Sequence, residues 1–132
     1  MFNFFAYGTL QLPEVMLAVT GQRFNSQPAR LGHFARYRLK HKSFPGIRPE
    51  PGSIVRGLVY LDLGGQTLKC LDDFEDVFYH REQVVITACG GNELIAQTYV
   101  VNADCHGLLS TDPWCLDEFR RVHLAAFLRH HE

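Results

Sequence analysis

Ala29-Arg30-Leu31-Gly32-His33-Phe34-Ala35-Arg36-Tyr37-Arg38-Leu39-Lys40-His41-Lys42 alternates, with Leu31, His33, Ala35, Tyr37 and Leu39 on one side and Arg36, Arg38, Lys40 and Lys42 on the other. Successive side chains of a strand point to opposite faces, so this period of two predicts a half-buried strand with a basic outer face. Such a strand needs a sheet, and its neighbours in the chain supply one. Residues 2 to 7 carry four aromatics and stop at Gly8, which reads as a first strand buried on both faces. Ile54 to Leu63 has strand character, and Val84 to Cys89 with Leu94 to Val101 makes a hairpin around Gly90-Gly91-Asn92. Phe44 to Gly52, with three prolines and two glycines, reads as a rigid loop between strands.

Helices punctuate these strands. Pro13 suits the first position of a helix through Val19, with Gly21 as its stop, and Thr67 to Phe74 looks helical. A last helix has Asp112 as cap and Pro113 in its first turn, with an apolar side drawn from Leu116, Phe119, Val122, Leu124, Ala126 and Phe127. Five or six strands with two or three helices define an α+β domain, and strands that follow one another like hairpins predict a curved or barrel-like, mainly antiparallel sheet.

A length of 132 residues supports one hydrophobic core, so residues 1–132 are expected to form one domain. Thirteen basic against fourteen acidic side chains leave a net charge of -1, and no global field draws the chain to nucleic acid or to anionic membranes. The basic face of 36 to 42 therefore reads as solvated charge in place of a nucleic-acid stripe. The apolar start lacks the basic flank and cleavage site of a signal peptide, and no window approaches the length of a membrane span. Cys70, Cys89, Cys105 and Cys115 have neither zinc-site spacing nor disulfide-scaffold density, which points to reduced thiols and a cytoplasmic location.

Two places hold residues that the fold alone does not require. In Leu68-Lys69-Cys70-Leu71-Asp72-Asp73-Phe74-Glu75-Asp76, helical spacing puts Glu75 on the stripe of Leu68 and Leu71 if the helix runs that far. A glutamate on the buried side is costly without a purpose or a partner. Desolvation, Asp72 and Asp76, and the negative end of the helix dipole would all raise its proton affinity, as suits general acid/base work near neutral pH. The other reading ends the helix at Phe74 and leaves Glu75 exposed or paired with Arg81. At Tyr7-Gly8-Thr9-Leu10 an apolar strand stops at glycine before the Pro13 helix. Backbone N–H groups there could point at a carboxylate or an oxyanion, or the segment could be an ordinary tight turn. Cys105 and His106 are adjacent and so poorly placed for a catalytic pair, and His130-His131-Glu132 at the terminus makes a poor metal site.

Taken together, these segments resemble the gamma-glutamylcyclotransferase-like superfamily, in its plant-and-bacterial avirulence-induced-gene branch, over nearly the whole chain. Tyr7-Gly8-Thr9-Leu10 is similar to the family's substrate loop, Phe44-Pro45-Gly46-Ile47 to its proline loop and Gly57-Leu58-Val59-Tyr60 to its central strand. Leu71 to Arg81 resembles the glutamate signature, and Trp114 with His123 to Leu128 resembles the closing helix. Asp76 stands where many relatives have glycine. The resemblance implies a mixed β-barrel with flanking helices, no metal or cofactor, and release of 5-oxoproline from a γ-glutamyl amine, amino acid or peptide. It places the catalytic glutamate on Glu75 and the substrate loop on Tyr7, Gly8, Thr9, Leu10, Gln11 and Leu12, with Tyr79 as a nearby aromatic. The expected partner is a small γ-glutamyl molecule, with neither nucleic acid nor membrane. The alternative is a binding or regulatory module that keeps the pocket without the chemistry.

Overall fold

The computed structural model describes residues 1–130 and shows a closed five-stranded barrel with helices packed on its outside. Strands β1 (Phe2–Ala6), β2 (Ser26–Arg38), β3 (Pro45–Leu63), β4 (Tyr79–Ala88) and β5 (Glu93–Val101) lie in the order β1-β3-β2-β4-β5. Neighbours pair antiparallel except β1 and β5, whose parallel contact at Phe4 and Gln97 closes the barrel. Helix α1 (Pro13–Thr20) and helix α2 (Gly65–Phe74) follow β1 and β3. After β5 come α3 (Leu116–Glu118), a π-helical turn over Phe119–His123, and α4 (Leu124–His130). No helix among the described residues is long and apolar enough to cross a membrane.

Strand β1 shows why the barrel needs its helices. Phe5, and Tyr7 just beyond the strand, join Leu31, Ile47, Val55, Val59, Ile86 and Val100 in a core built from strand-side residues alone. Phe4 and Ala6 face the other way, into a second core with Val15 and Met16 of α1, Leu68 and Leu71 of α2, and Trp114 and Phe119. The expected strand buried on both faces is present, with the outer face covered by helices. Pro13 opens α1 and Gly21 closes it in the left-handed region at φ 75°, as the sequence indicates.

Three expectations fail for identifiable reasons. Phe44 to Gly52 is not a loop. From Pro45 onward it is the first half of β3, pairing with β2 from Arg38 to Phe34 while β1 pairs only with the later residues Leu58 to Leu63. Prolines are tolerated because, among the described residues, no strand pairs with the other side of this half, so a missing N–H breaks no ladder there. His33 does not continue the buried side of β2: it sits at φ 65° in a register shift between Gly32 and Phe34, and is exposed. The last helix starts later than expected, with Cys115 as its N-cap; Asp112 instead pairs with Arg38 at 3.2 Å. The expectation of no metal at His130-His131-Glu132 falls outside the described residues, except for the helical backbone of His130.

Close packing of β1 against β3 makes Gly57 obligatory. A Cβ there would overlap the Ala6 carbonyl oxygen, a backbone atom that no rotamer change can move, whereas a Cβ at Gly65 in α2 would meet nothing. Gly57→Ala is expected to lower stability by about 1–3 kcal/mol, and Gly65→Ala to leave it unchanged or raise it by about 0.5–1 kcal/mol. Urea unfolding midpoints of the two variants check both signs.

Candidate active site

A cavity of about 250 Å³ opens where β1 ends against the C-terminal end of α2, lined among others by Tyr7, Thr9, Glu75, Tyr79, Tyr99 and Phe127. Drug-sized sites run to roughly 300–1,000 Å³, so this one suits a ligand of amino-acid dimensions. Its floor is made as the sequence runs out of strand. Ala6 is the last residue of β1, and Thr9–Gln11 turns as a short 3-10 helix whose closing bonds are donated by the Gln11 and Leu12 amides to Gly8 and Thr9. The amides of Gly8, Thr9 and Leu10 precede those donors and make no bond within the turn, as at any helix start.

Other side chains hold this turn in place. Arg36 Nη1 donates to the Tyr7 carbonyl at 2.8 Å and the Arg56 carbonyl at 3.0 Å, and its guanidinium lies 5.6 Å from the Trp114 ring. Tyr60 Oη donates to the Leu10 carbonyl at 2.6 Å. Arg36 and Arg38, half of the basic face seen in the sequence, are thus tied to backbone and to Asp112.

Glu75 reaches the cavity although the helix ends at Phe74, as the second of the two readings has it, and it is neither fully exposed nor bonded to Arg81. Helix α2 ends at Phe74; Glu75 is its C-cap in extended conformation (φ −74°, ψ 144°), and its N–H still bonds the Leu71 carbonyl at 3.1 Å. The carboxyl therefore leaves the helix stripe, yet it lines the cavity. Burial, then the charges of Asp76 and Asp72, push its pKa up to about 8. It has no bond to Arg81, whose Nε donates to Asp72 at 2.8 Å and whose Nη1 donates to the Gln97 side chain at 2.9 Å.

Aromatic groups complete the wall. Tyr79 Oη donates to the Pro45 carbonyl at 2.5 Å, linking the glutamate segment to the start of β3. Tyr7 Oη donates to the Tyr99 carbonyl at 2.6 Å. Burial raises the phenol pKa values of Tyr7, Tyr79 and Tyr99, with the Glu75 carboxyl a further cause in each. Phe74 packs edge-on against Phe127 at 6.0 Å between ring centres, so the closing helix walls the cavity as well.

Of the residues singled out in the sequence, Tyr7, Gly8, Thr9, Leu10, Glu75 and Tyr79 line this cavity together. Gln11 and Leu12 do not: the Gln11 side chain bonds back to the Gly8 carbonyl at 3.2 Å, and Leu12 is buried in the outer core. Cys105 and His106 lie on a separate 3-10 turn over Ala103–Leu108, and all four cysteines are free thiols. Asp72 acts on Glu75 as the sequence indicates, but Tyr99, and the bond of its hydroxyl to Asp72, have no mark in either segment. Counting pairs back from the Gly90-Gly91 turn sets residue 81 opposite residue 99, which would have brought Tyr99 beside the glutamate segment.

Residues 4–116 match the family described as gamma-glutamyl cyclotransferase, AIG2-like, and the chain belongs to that family. The chain is 32% identical over 132 residues to the AIG2-like protein D of Arabidopsis thaliana, spanning 98% of this chain and 86% of that one. A solution structure of an Arabidopsis thaliana protein superposes with a TM-score of 0.75 at 26% identity, covering 98% of this chain and 78% of the other. The crystal structure of an AIG2-like protein from Mus musculus gives a TM-score of 0.67 over 88% and 86% of the two chains; at 22% identity it shows the shared fold.

The Glu75 proton has a consequence for stability with a definite sign. The native pKa of about 8 lies above the ordinary 4.5, so the folded chain holds a proton that the unfolded chain has lost, and stability falls as pH rises from about 4.5 to about 8. Glu75→Gln removes that penalty. The variant is expected to exceed the native chain by roughly 2–4 kcal/mol at pH 8.5, after allowance for partial solvent screening, and by far less at pH 5. Urea unfolding at the two pH values checks it.

Proposed function

We propose that this chain is a gamma-glutamylcyclotransferase that releases 5-oxoproline from a γ-glutamyl amine, amino acid or peptide. The observation that carries the reading is the placement of Glu75 in the wall of an amino-acid-sized cavity, beside a turn whose first amides are not used within it; burial there, with Asp76 and Asp72, pushes the carboxyl pKa up to about 8. Membership of a family described as gamma-glutamyl cyclotransferase, AIG2-like, supports a cyclotransferase-type activity.

The reaction needs little from the protein beyond folding the substrate and moving protons. The α-amino nitrogen attacks the γ-carbonyl carbon, closing a five-membered lactam, and the bond from that carbon to the leaving amine breaks. Glu75 as carboxylate takes a proton from the α-ammonium and, as acid, delivers it to the departing nitrogen; the ring nitrogen then gives up its second proton to the regenerated carboxylate, which passes it to the freed amine, so that the amine leaves as an ammonium and Glu75 is restored. A pKa of about 8 keeps both forms present near neutral pH. Amides of Gly8 to Leu10 face the carbonyl oxygen as charge develops on it. No serine or cysteine nucleophile takes part.

Arg81 bears on the rival reading of a binding module without chemistry, which would follow if an ion pair with Arg81 neutralised Glu75. Arg81 is instead engaged by Asp72 and Gln97. The test is 5-oxoproline release across a panel of γ-glutamyl compounds, with Glu75→Gln alongside. At least one compound is expected to turn over in the native chain, with a loss of about 10²-fold or more in Glu75→Gln at unchanged fold. Equal release by the variant would remove Glu75 from the mechanism, and binding without release would favour the module.

A further inference from the structure

Three phenols stand around Glu75, and each has its single proton engaged elsewhere. Tyr7 Oη donates to the Tyr99 carbonyl at 2.6 Å, Tyr79 Oη to the Pro45 carbonyl at 2.5 Å, and Tyr99 Oη to Asp72 Oδ1 at 2.7 Å. A phenol with its proton so engaged can only accept from any further partner.

Tyr99 differs from the other two in the nature of its acceptor. Backbone carbonyls are fixed by the fold, but Asp72 is a side chain on the exposed flank of α2, one turn before Glu75. The same Oδ1 that takes the Tyr99 proton also receives Arg81 Nε at 2.8 Å, and Arg81 is held by Gln97 at 2.9 Å. Arg81 and Tyr99 are cross-strand partners of β4 and β5, so the hairpin register fixes the whole arrangement. An exposed carboxylate already paired with arginine gains little from a phenol, whereas Tyr99 is only 4% exposed and its hydroxyl needs an acceptor. Tyr99 also lines both the cavity and a shallower groove outside it, where Asp72, Glu75, Asp76, Tyr79 and Arg81 meet.

We propose that Asp72 is a positioning residue acting through Tyr99: by taking the phenol's proton it fixes the Tyr99 oxygen as an acceptor for a primary ammonium group of a ligand held beside Glu75. A primary ammonium carries three N–H donors and a charge, and it matches a wall made of acceptors. An acylated amine has one donor and no charge. The choice of a γ-glutamyl ligand rests on the function proposed above; the ammonium preference and the coupling of Asp72 to Tyr99 are measured by binding alone.

The test is calorimetric binding of γ-L-glutamylmethylamide and its N-acetyl derivative to the Glu75→Gln chain, further carrying Tyr99→Phe, Asp72→Ala or both. The free amine is expected to bind and the acetylated one to bind far more weakly. Tyr99→Phe should weaken the amine roughly tenfold to a hundredfold, the range of a hydrogen bond to a charged group. Asp72→Ala should weaken it as well, but by less than about twofold once Tyr99→Phe is present, because coupled residues are not additive. Urea midpoints confirm that each variant is folded. Equal losses from Asp72→Ala in both backgrounds would show that Asp72 acts by its charge alone, and equal binding of the two ligands, or of neither, would remove the ammonium site; each overturns the proposal. Release of 5-oxoproline by the chain with Glu75 intact is read separately: amine-selective binding without release would sink the cyclotransferase reading and leave this inference standing.

Discussion

Strand β1 runs between β3 and β5 and is wanted on both faces, which constrains everything around it. With Phe5 and Tyr7 in the barrel and Phe4 and Ala6 beneath the helices, the strand has no face left for solvent. It must be covered by α1 and α2, and its exit must turn sharply at the barrel mouth. Gly57 allows the close approach of β3 to Ala6 that this arrangement requires. The cavity is the space left where β1 ends and α2 ends, and Arg36 and Tyr60 hold the turn between them by its carbonyls.

The glutamate is placed by a helix end rather than by a helix face. Had α2 continued, Glu75 would have lain on the stripe of Leu68 and Leu71, packed against the outer core. Because the chain leaves the helix at Phe74 in extended conformation, the carboxyl lines the cavity while Asp72 and Asp73 remain outside. Burial and the flanking acids act on it in the same direction, and Arg81, which lines the outer groove with it, is engaged by Asp72. A proton is retained there by the absence of compensation.

Much of this was legible in the residues. Alternation in Leu31, Ala35 and Leu39, the Pro13 to Gly21 helix and the hairpin about Gly90-Gly91 report local rules that tertiary context did not override. Prolines 45, 49 and 51 misled, because whether a proline breaks a strand depends on which edge is free, and that is fixed only by the later pairing of β1 with β3. His33 misled because it sits at φ 65° in a register shift and drops out of an alternation that Ala35 and Leu39 keep, and nothing local marks such a position. The cavity residues drawn from one segment each, Glu75 and Tyr7 to Leu10, could be named. Tyr99, the tie of Asp72 to Tyr99 and Arg81, and the hold of Arg36 on the Tyr7 carbonyl could not, since these contacts join residues between 9 and 29 positions apart.

The proton transfers proposed for the reaction turn on the ionisation of one carboxyl. Site-specific titration of the Glu75 side-chain carbon by carbon-13 NMR, with Glu75→Gln used to assign the signal, measures it without any substrate. A midpoint near pH 8 is expected, well above the ordinary 4.5. A midpoint near the ordinary 4.5 would contradict it, leaving a carboxylate ionised throughout the working range and without the proton that the leaving amine requires.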